Sequence, residues 1–149
     1  MTEQPIPIEL RDVSDEADLR RCYRLVRELR PHLDEDGFVE RVTAQRADGF
    51  HLLVAWSEDR PVGAVGYRYG AKLAWGEHCY VDDLIVDPTR RSRGVGHALL
   101  AEVRRRAIER NCEELHLDSR RERSDAHRFY EREGLAPSSL HFRQRLRGT

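Results

Sequence analysis

The chain has almost no lysine: Lys72 stands alone among 26 basic residues, and every other one is an arginine. Arginine in place of lysine almost throughout reads as a coding bias, so no arginine carries weight by its type alone. Charge of one sign is missing too. Against 27 acidic residues the formal net charge is -1, which gives no global pull toward nucleic acid or a membrane surface. Hydrophobic residues make up 39% of the 149, yet no apolar run approaches the roughly 20 residues of a membrane helix. The N-terminus, MTEQPIPIEL, has no basic stretch followed by an apolar one, so no signal peptide is expected and the expected location is cytoplasmic. Cys22, Cys79 and Cys112 are odd in number, widely spaced and without a CxxC. Free thiols in a reducing cytosol are expected, not a disulfide framework or a zinc site. Neither a GKS/T nor a GxGxxG motif occurs, which sets aside P-loop and Rossmann nucleotide binding. With no linker, repeat or low-complexity tract, the whole of 1–149 reads as one domain.

Periodicity supplies the elements. Ile6, Ile8 and Leu10 alternate in a first strand over 6–11. Ser14 or Asp15 caps a helix from about Glu16 to Arg30, ended by Pro31, with its apolar stripe at Leu19, Cys22, Tyr23, Val26 and Leu29. A second helix starts at Asp34, carries Phe38, Val39 and Val42, and closes near Gly49. Strands follow at 51–56 and 61–69, joined by a hairpin turn at 57–60. Residues 70–76 read as a looser connection to a long strand around 80–86. A helix after Gly96 runs to about Arg110, where Asn111 suits the left-handed C-terminal conformation. Then come a strand at 115–118, a polar loop at 120–123, a helix over 126–133 capped by Ser124 or Asp125 and ended by Gly134, and a last alternating strand over 140–146. The order β-α-α-β-β-β-α-β-α-β is that of an α/β (α+β) mixed sheet.

Residues 80–100, YVDDLIVDPTRRSRGVGHALL, organise the rest. The β-branched run stops at Asp87-Pro88, where proline ends sheet pairing. An arginine- and glycine-rich turn leads into a helix with Val95, Leu99 and Val103 on one face. A strand, a glycine-containing turn and a helix N-terminus make an anion site, because free N–H groups and the positive end of the helix dipole converge there. A phosphate-bearing ligand is expected at residues 91 to 98.

The turn Arg91-Ser92-Arg93-Gly94-Val95-Gly96 follows a strand ending in Leu84, Val86 and Pro88. It resembles the R/Q-x-x-G-x-G/A acyl-CoA loop of the GNAT (Gcn5-related) N-acetyltransferases. Ala126 to Leu135, with Phe129, Tyr130 and Gly134, resembles the same family's A-x-x-F/L-Y-x-x-x-G-F helix, and the order of elements is similar over essentially the whole chain. The resemblance implies a GNAT fold whose central parallel strands splay apart, with acetyl-CoA as cosubstrate and no metal. Leu84, Ile85 and Val86 would lie along the pantetheine arm. The pyrophosphate would sit on Arg91, Ser92, Arg93, Gly94, Val95, Gly96, His97 and Ala98, and Phe129 would border the cofactor.

The implied reaction is acetyl transfer to a primary amine by direct attack in a ternary complex. A departing thiolate, from a thiol of pKa about 8.5, gains from a proton donor. Tyr130 matches the family's general-acid tyrosine; as residue types go, it is equally a core aromatic on an amphipathic helix. For the base, Tyr80 falls about where some members carry a glutamate, so this chain departs from the pattern. Asp82 and Asp83 are the candidates, since carboxylates inside a buried strand are costly unless hydrogen-bonded or functional. A regular strand would put Tyr80, Asp82, Leu84 and Val86 on one face and Val81, Asp83 and Ile85 on the other. Glu77 and His78 are second choices. The substrate is expected against 30–36 and 137–139, with Asp34-Glu35-Asp36 as an acidic mouth for a cationic amine or simply the negative first turn of a helix. Cys79 as an acyl carrier lacks a paired histidine. His116, Asp118 and His127 are too little for a metal site, and Arg104–Arg106 with Arg110 have no interleaved aromatics for nucleic acid. The competing class is a GNAT-like acyl-CoA sensor without chemistry. Partners are acetyl-CoA and an amine, with no nucleic acid or membrane; edge strands of such folds suggest a homodimer.

Overall fold

In the computed structural model, which describes residues 4–91 and 93–148, the alternation around Leu10 becomes strand β1 (Glu9–Asp12). Two aspartates start the next two helices. Asp15 accepts the Asp18 amide at 2.8 Å and opens α1 (Glu16–Val26); Asp34 accepts the Gly37 amide at 2.7 Å and opens α2 (Glu35–Arg46). Helix α1 stops four residues short of the expected Arg30, in a turn that leaves Arg30 outside the helix.

β2 (His51–Ser57) and β3 (Arg60–Lys72) form a hairpin, turning through Glu58 and Asp59 at φ 49° and 64°. β3 and β4 (Gly76–Val86) pair from Gly63–Val86 to Lys72–Gly76, so most of the expected loose connection at 70–76 is strand. A single 3₁₀ turn (Pro88–Arg90) precedes α3 (Val95–Glu109). β5 (Glu114–Leu117) then runs parallel to β4, and α4 (Ser124–Arg132) follows. Asn111 adopts the expected left-handed conformation at φ 63°.

The chain divides into two compact units, Met1–Leu117 and Asp118–Thr149. The first holds the sheet, in the order β1-β2-β3-β4-β5. On one face Leu52, Val54, Trp56, Ala64 and Ile85 pack with Leu19, Cys22, Phe38 and Val42 of α1 and α2. α3 covers the other face with Val95, Leu99, Leu100 and Val103, all essentially fully buried. Each such side chain contributes about 1.5–3 kcal/mol of burial. Arg106 ties α3 down, donating to Asp12 at 2.8 Å and to the Tyr67 hydroxyl at 2.9 Å.

In the second unit, α4 starts earlier than expected. Its N-cap position is Arg123, with no side-chain capping bond, so Ser124 and Asp125 lie inside the helix. The expected last strand over 140–146 does not form, and no strand follows α4 among the described residues. Leu140, Phe142 and Leu146 are exposed. Alternation alone was an insufficient sign: a strand needs a ladder partner for its backbone, and this unit, with one helix, contains none.

Two irregularities shape β4. Opposite Gly66 and Tyr67 of β3 stand Asp83 and Val81, so Asp82 is an extra residue, a β-bulge. The parallel pairing with β5 spans only His78–Val81. Beyond Val81 the strand continues for five residues without a parallel neighbour.

Gly66 sits under the bulge where no side chain fits: a Cβ there would lie 2.5 Å from Phe50 Cζ and 2.7 Å from Cε1. Gly66→Ala should therefore destabilise the protein by about 1–3 kcal/mol through overpacking, read as a lowered midpoint in urea unfolding; an unchanged midpoint would show that Phe50 moves aside freely.

Candidate functional site

The turn after β4 is built on Asp87. Its amide donates to Val62 O at 2.9 Å, and its carboxylate accepts from the Thr89 amide (2.9 Å), the Thr89 hydroxyl (2.8 Å) and Arg90 Nη1 (3.0 Å). Burial raises the carboxyl's pKa, but these donors outweigh it and leave the group below its ordinary value. Pro88 can follow because a 3₁₀ turn needs no N–H at its first position. Arg91 is exposed, Arg93 is half-buried, and Ser92 lies outside the described residues.

Gly94 takes φ 83°, a left-handed value that favours glycine, and it occupies the N-cap of α3. The first intrahelical bond is from the Ala98 amide to Gly94 O at 3.0 Å. The amides of Val95, Gly96 and His97 precede it, at the positive end of a 15-residue helix. With no side-chain cap at this terminus, the chemistry fits an oxyanion such as a pyrophosphate. Leu84, Ile85 and Val86 pair with Val65, Ala64 and Gly63 of β3. Their other edge is the one that β5 leaves at Val81, so a ligand's amide groups can meet strand backbone there.

The bulge overturns the regular alternation expected for this strand. Asp82 and Asp83 both face the α1/α2 side, each against a guanidinium. Arg68 approaches Asp82 with two nitrogens, Nη2–Oδ2 at 2.6 Å and Nε–Oδ2 at 3.1 Å. Arg68 is itself held by Gln45 Oε1 at 2.9 Å and lies over the Phe50 ring. Asp83 pairs with Arg30, from the turn after α1. Its Oδ1 is buried and makes no aligned hydrogen bond. Burial pushes the Asp83 carboxyl up from its ordinary value, Arg30 opposes that rise, and neighbouring Asp82 adds to it.

In the second unit, Phe129 and Tyr130 lie on α4 with ring centroids 5.5 Å apart. Burial raises the Tyr130 hydroxyl above its ordinary pKa, partly offset by Arg123. His127 hydrogen-bonds Arg120 O at 2.7 Å.

Other expected features are spent elsewhere. In the expected acidic mouth, Asp34 caps α2, while Glu35 and Asp36 pair with Arg20 at 3.0 and 2.8 Å. Cys79 is fully buried and its thiol is pushed up to about 12 by burial, the reverse of an activated nucleophile. His78 is buried with Nδ1 3.1 Å from Gly76 O. His116 stacks on Trp75 and contacts Glu114.

Gln45, Arg68 and Asp87 were missed by sequence reasoning; Arg30 stood in the expected substrate-lining stretch 30–36, but its pairing with Asp83 was not expected. Arg30, Gln45 and Arg68 come from elements distant in the chain and carry no local pattern for these contacts. Asp87 did have a signal, since Asp before Pro-Thr is a side-chain-to-backbone turn.

The profile of the family described as "Acetyltransferase (GNAT) family" matches residues 17–135. An uncharacterized N-acetyltransferase of Bacillus subtilis is 28% identical, covering 92% of this chain and 98% of that protein. An aminoalkylphosphonate N-acetyltransferase of Salmonella typhimurium is 32% identical, covering 97% and 96%. A solved acetyltransferase structure from Trypanosoma brucei superposes with a TM-score of 0.79 at 25% identity, covering 94% of this chain and all of that one. Strand, turn and helix at the anion site, the element order and these matches agree: the chain belongs to the GNAT family of acetyltransferases.

Proposed function

We propose that the chain is an acetyl-CoA-dependent N-acetyltransferase acting on a primary amine by direct attack in a ternary complex. One observation carries the reading. A single strand, β4, leads through a short turn into a helix-N-terminal anion site and carries, before its end, a partly buried carboxylate whose pKa is raised. At about 3.3 Å per residue, the strand spans the distance from phosphate to reacting group with one ligand lying along it.

In this reading the amides of Val95 to Ala98, with Gly94 giving backbone access, hold the pyrophosphate, and Arg91 and Arg93 add charge. The open edge of Leu84, Ile85 and Val86 pairs with the pantetheine amides, and Phe129 borders the arm. Asp83 is the base: it takes a proton from the substrate ammonium, and the freed lone pair attacks the thioester carbonyl. The C–N bond forms, the C–S bond breaks, and the thiolate leaves with a proton from Tyr130. Asp83 is preferred to Asp82 because Asp82 is already gripped by Arg68 from two nitrogens, while Asp83 has a raised pKa, nearer that of the ammonium it must deprotonate. The raised pKa of Tyr130 keeps its proton in place until the thiolate develops.

A small-molecule acceptor is supported by the Salmonella relative. The three free cysteines support a reducing, cytoplasmic setting. Exposed Leu140, Phe142 and Leu146 support burial against a second copy in a homodimer. Acetyl-CoA binding without thiol release across a broad amine library would assign the sensor class instead.

Because the folded pKa of Asp83 is raised, its carboxylate forms later than usual as pH rises, so kcat/KM should climb through an ionisation above the ordinary carboxylate value of about 4. Asp83→Asn should abolish that limb and lower kcat/KM by about 10²–10⁴-fold. The same sign applies to stability: a raised folded pKa means stability is lost as pH rises through it. An intact pH profile in this variant would move the role to Asp82 or to water. Tyr130→Phe should cut kcat by about 10²-fold while leaving acetyl-CoA affinity, measured by calorimetry, unchanged; equal kcat across the pH range would remove Tyr130 from the reaction.

A further inference from the structure

We propose that the acceptor is a zwitterion, a primary amine carrying an acidic group a short chain away, and that it binds by inserting into the Arg30–Asp83 ion pair. The inference rests on the acetyl-transfer reading of the same site and names its substrate class.

The argument is one of charge balance. At the bulge stand two carboxylates and two guanidiniums, Asp82 with Arg68 and Asp83 with Arg30, all partly buried at 22–35% side-chain exposure. Their formal charges cancel. Glu35 and Asp36 lie in an exposed cluster with Arg20, and Asp34 caps α2. A plain amine taking Asp83 leaves the Arg30 guanidinium unpaired beside the substrate's own positive charge, and a cation released in a half-buried setting is costly. A zwitterion leaves nothing unpaired. Its ammonium takes Asp83 and its acid group takes Arg30, so the local sum stays at zero and every charge keeps a partner.

The two ion pairs differ in how readily they open. Arg68 is fixed by three contacts: the carboxylate of Asp82, the Gln45 amide oxygen and the Phe50 ring. Arg30 lies in the turn past α1, and its guanidinium's one other hydrogen bond among the described residues is a long 3.5 Å contact to Leu29 O. Asp83 Oδ1 lies against Arg30 without an aligned hydrogen bond. Arg30 is thus the partner that can swing to an incoming oxyanion, and its planar fork suits a carboxylate or phosphonate. Ammonium capture also places the proton to be removed directly on the oxygen that removes it.

The test measures thiol release from acetyl-CoA with matched acceptors: β-alanine and 3-aminopropylphosphonate against propylamine, with spermidine as the polycation. The acid-bearing amines should exceed propylamine and spermidine by about 10- to 100-fold in kcat/KM, the worth of a hydrogen bond to a charged group. In Arg30→Met that ratio should fall toward one, and Arg30→Gln, which keeps a polar side chain, should lose it too; thermal unfolding checks that each variant is folded. Propylamine or spermidine matching the acid-bearing amines in the parent, or a ratio unchanged in a folded Arg30 variant, overturns the proposal. Calorimetry with 3-aminopropylphosphonate separates the two layers. If it binds the parent but not Arg30→Met while no amine releases thiol, the transfer reading fails and the charge exchange stands. No binding and no turnover of either acid-bearing amine overturns the charge exchange.

Discussion

β4 keeps parallel company for only four residues, and the site depends on that limit. β5 is short and pairs with His78–Val81 alone, so the next five residues of β4, all but the bulged Asp82 paired with β3, have no parallel neighbour among the described residues. A buried strand edge is ordinarily a liability. In the proposed reading a ligand's amides complete the ladder along it. The bulge falls where the pairing stops. It breaks alternation and turns two successive carboxylates toward the same layer, where α1, its following turn and α2 present Arg30 and Gln45. A flat, fully paired strand would have offered neither the edge nor the doubled acid.

Within this one strand and its turn, two aspartates show how environment decides role. Asp87 is ringed by donors, and they hold its pKa down; it fixes the turn that aims α3. Asp83 pairs with Arg30, but burial and the neighbouring Asp82 charge outweigh the cations and its pKa is raised. The first aspartate is stabilised in its charged form and serves the fold. The second is destabilised in that form. The surrounding architecture carries that cost through the apolar packing of α3 and of α1 and α2 on the two sheet faces.

How much of this was legible depends on the range of the interactions involved. Asp15 and Asp34 act within three residues of themselves, and both helix starts were readable. The anion turn is equally local: Asp-Pro, then Gly94 and Gly96, then an apolar helical face. Its reading as an acyl-CoA loop came from resemblance, with Ala126–Leu135 as the supporting second motif. The bulge was not legible, since nothing in VDDLIV says that Asp82 has no partner across the ladder; that depends on how Gly66 and Phe50 pack. Nor were Arg30 and Arg68, which reach their carboxylates across 53 and 14 positions. The strand over 140–146 failed for the opposite reason. Its local pattern is sound, but a strand is a property of two segments, and the unit that contains it supplies no second one.

The scarcity of lysine also has a chemical consequence at a site of acetyl transfer. An unprotonated amine attacks a thioester, whereas a guanidinium stays protonated at any working pH and does not. Arginine can therefore supply positive charge beside the reacting group without competing as an acceptor. A lysine at position 30 would bring an amine to the carboxylate best placed to deprotonate it. The chain's one lysine, Lys72, lies at the far end of the β3–β4 hairpin, with its ammonium 3.9 Å from the Trp75 ring centroid. Whatever produced the bias toward arginine, it leaves a site whose cations orient a substrate and cannot become one.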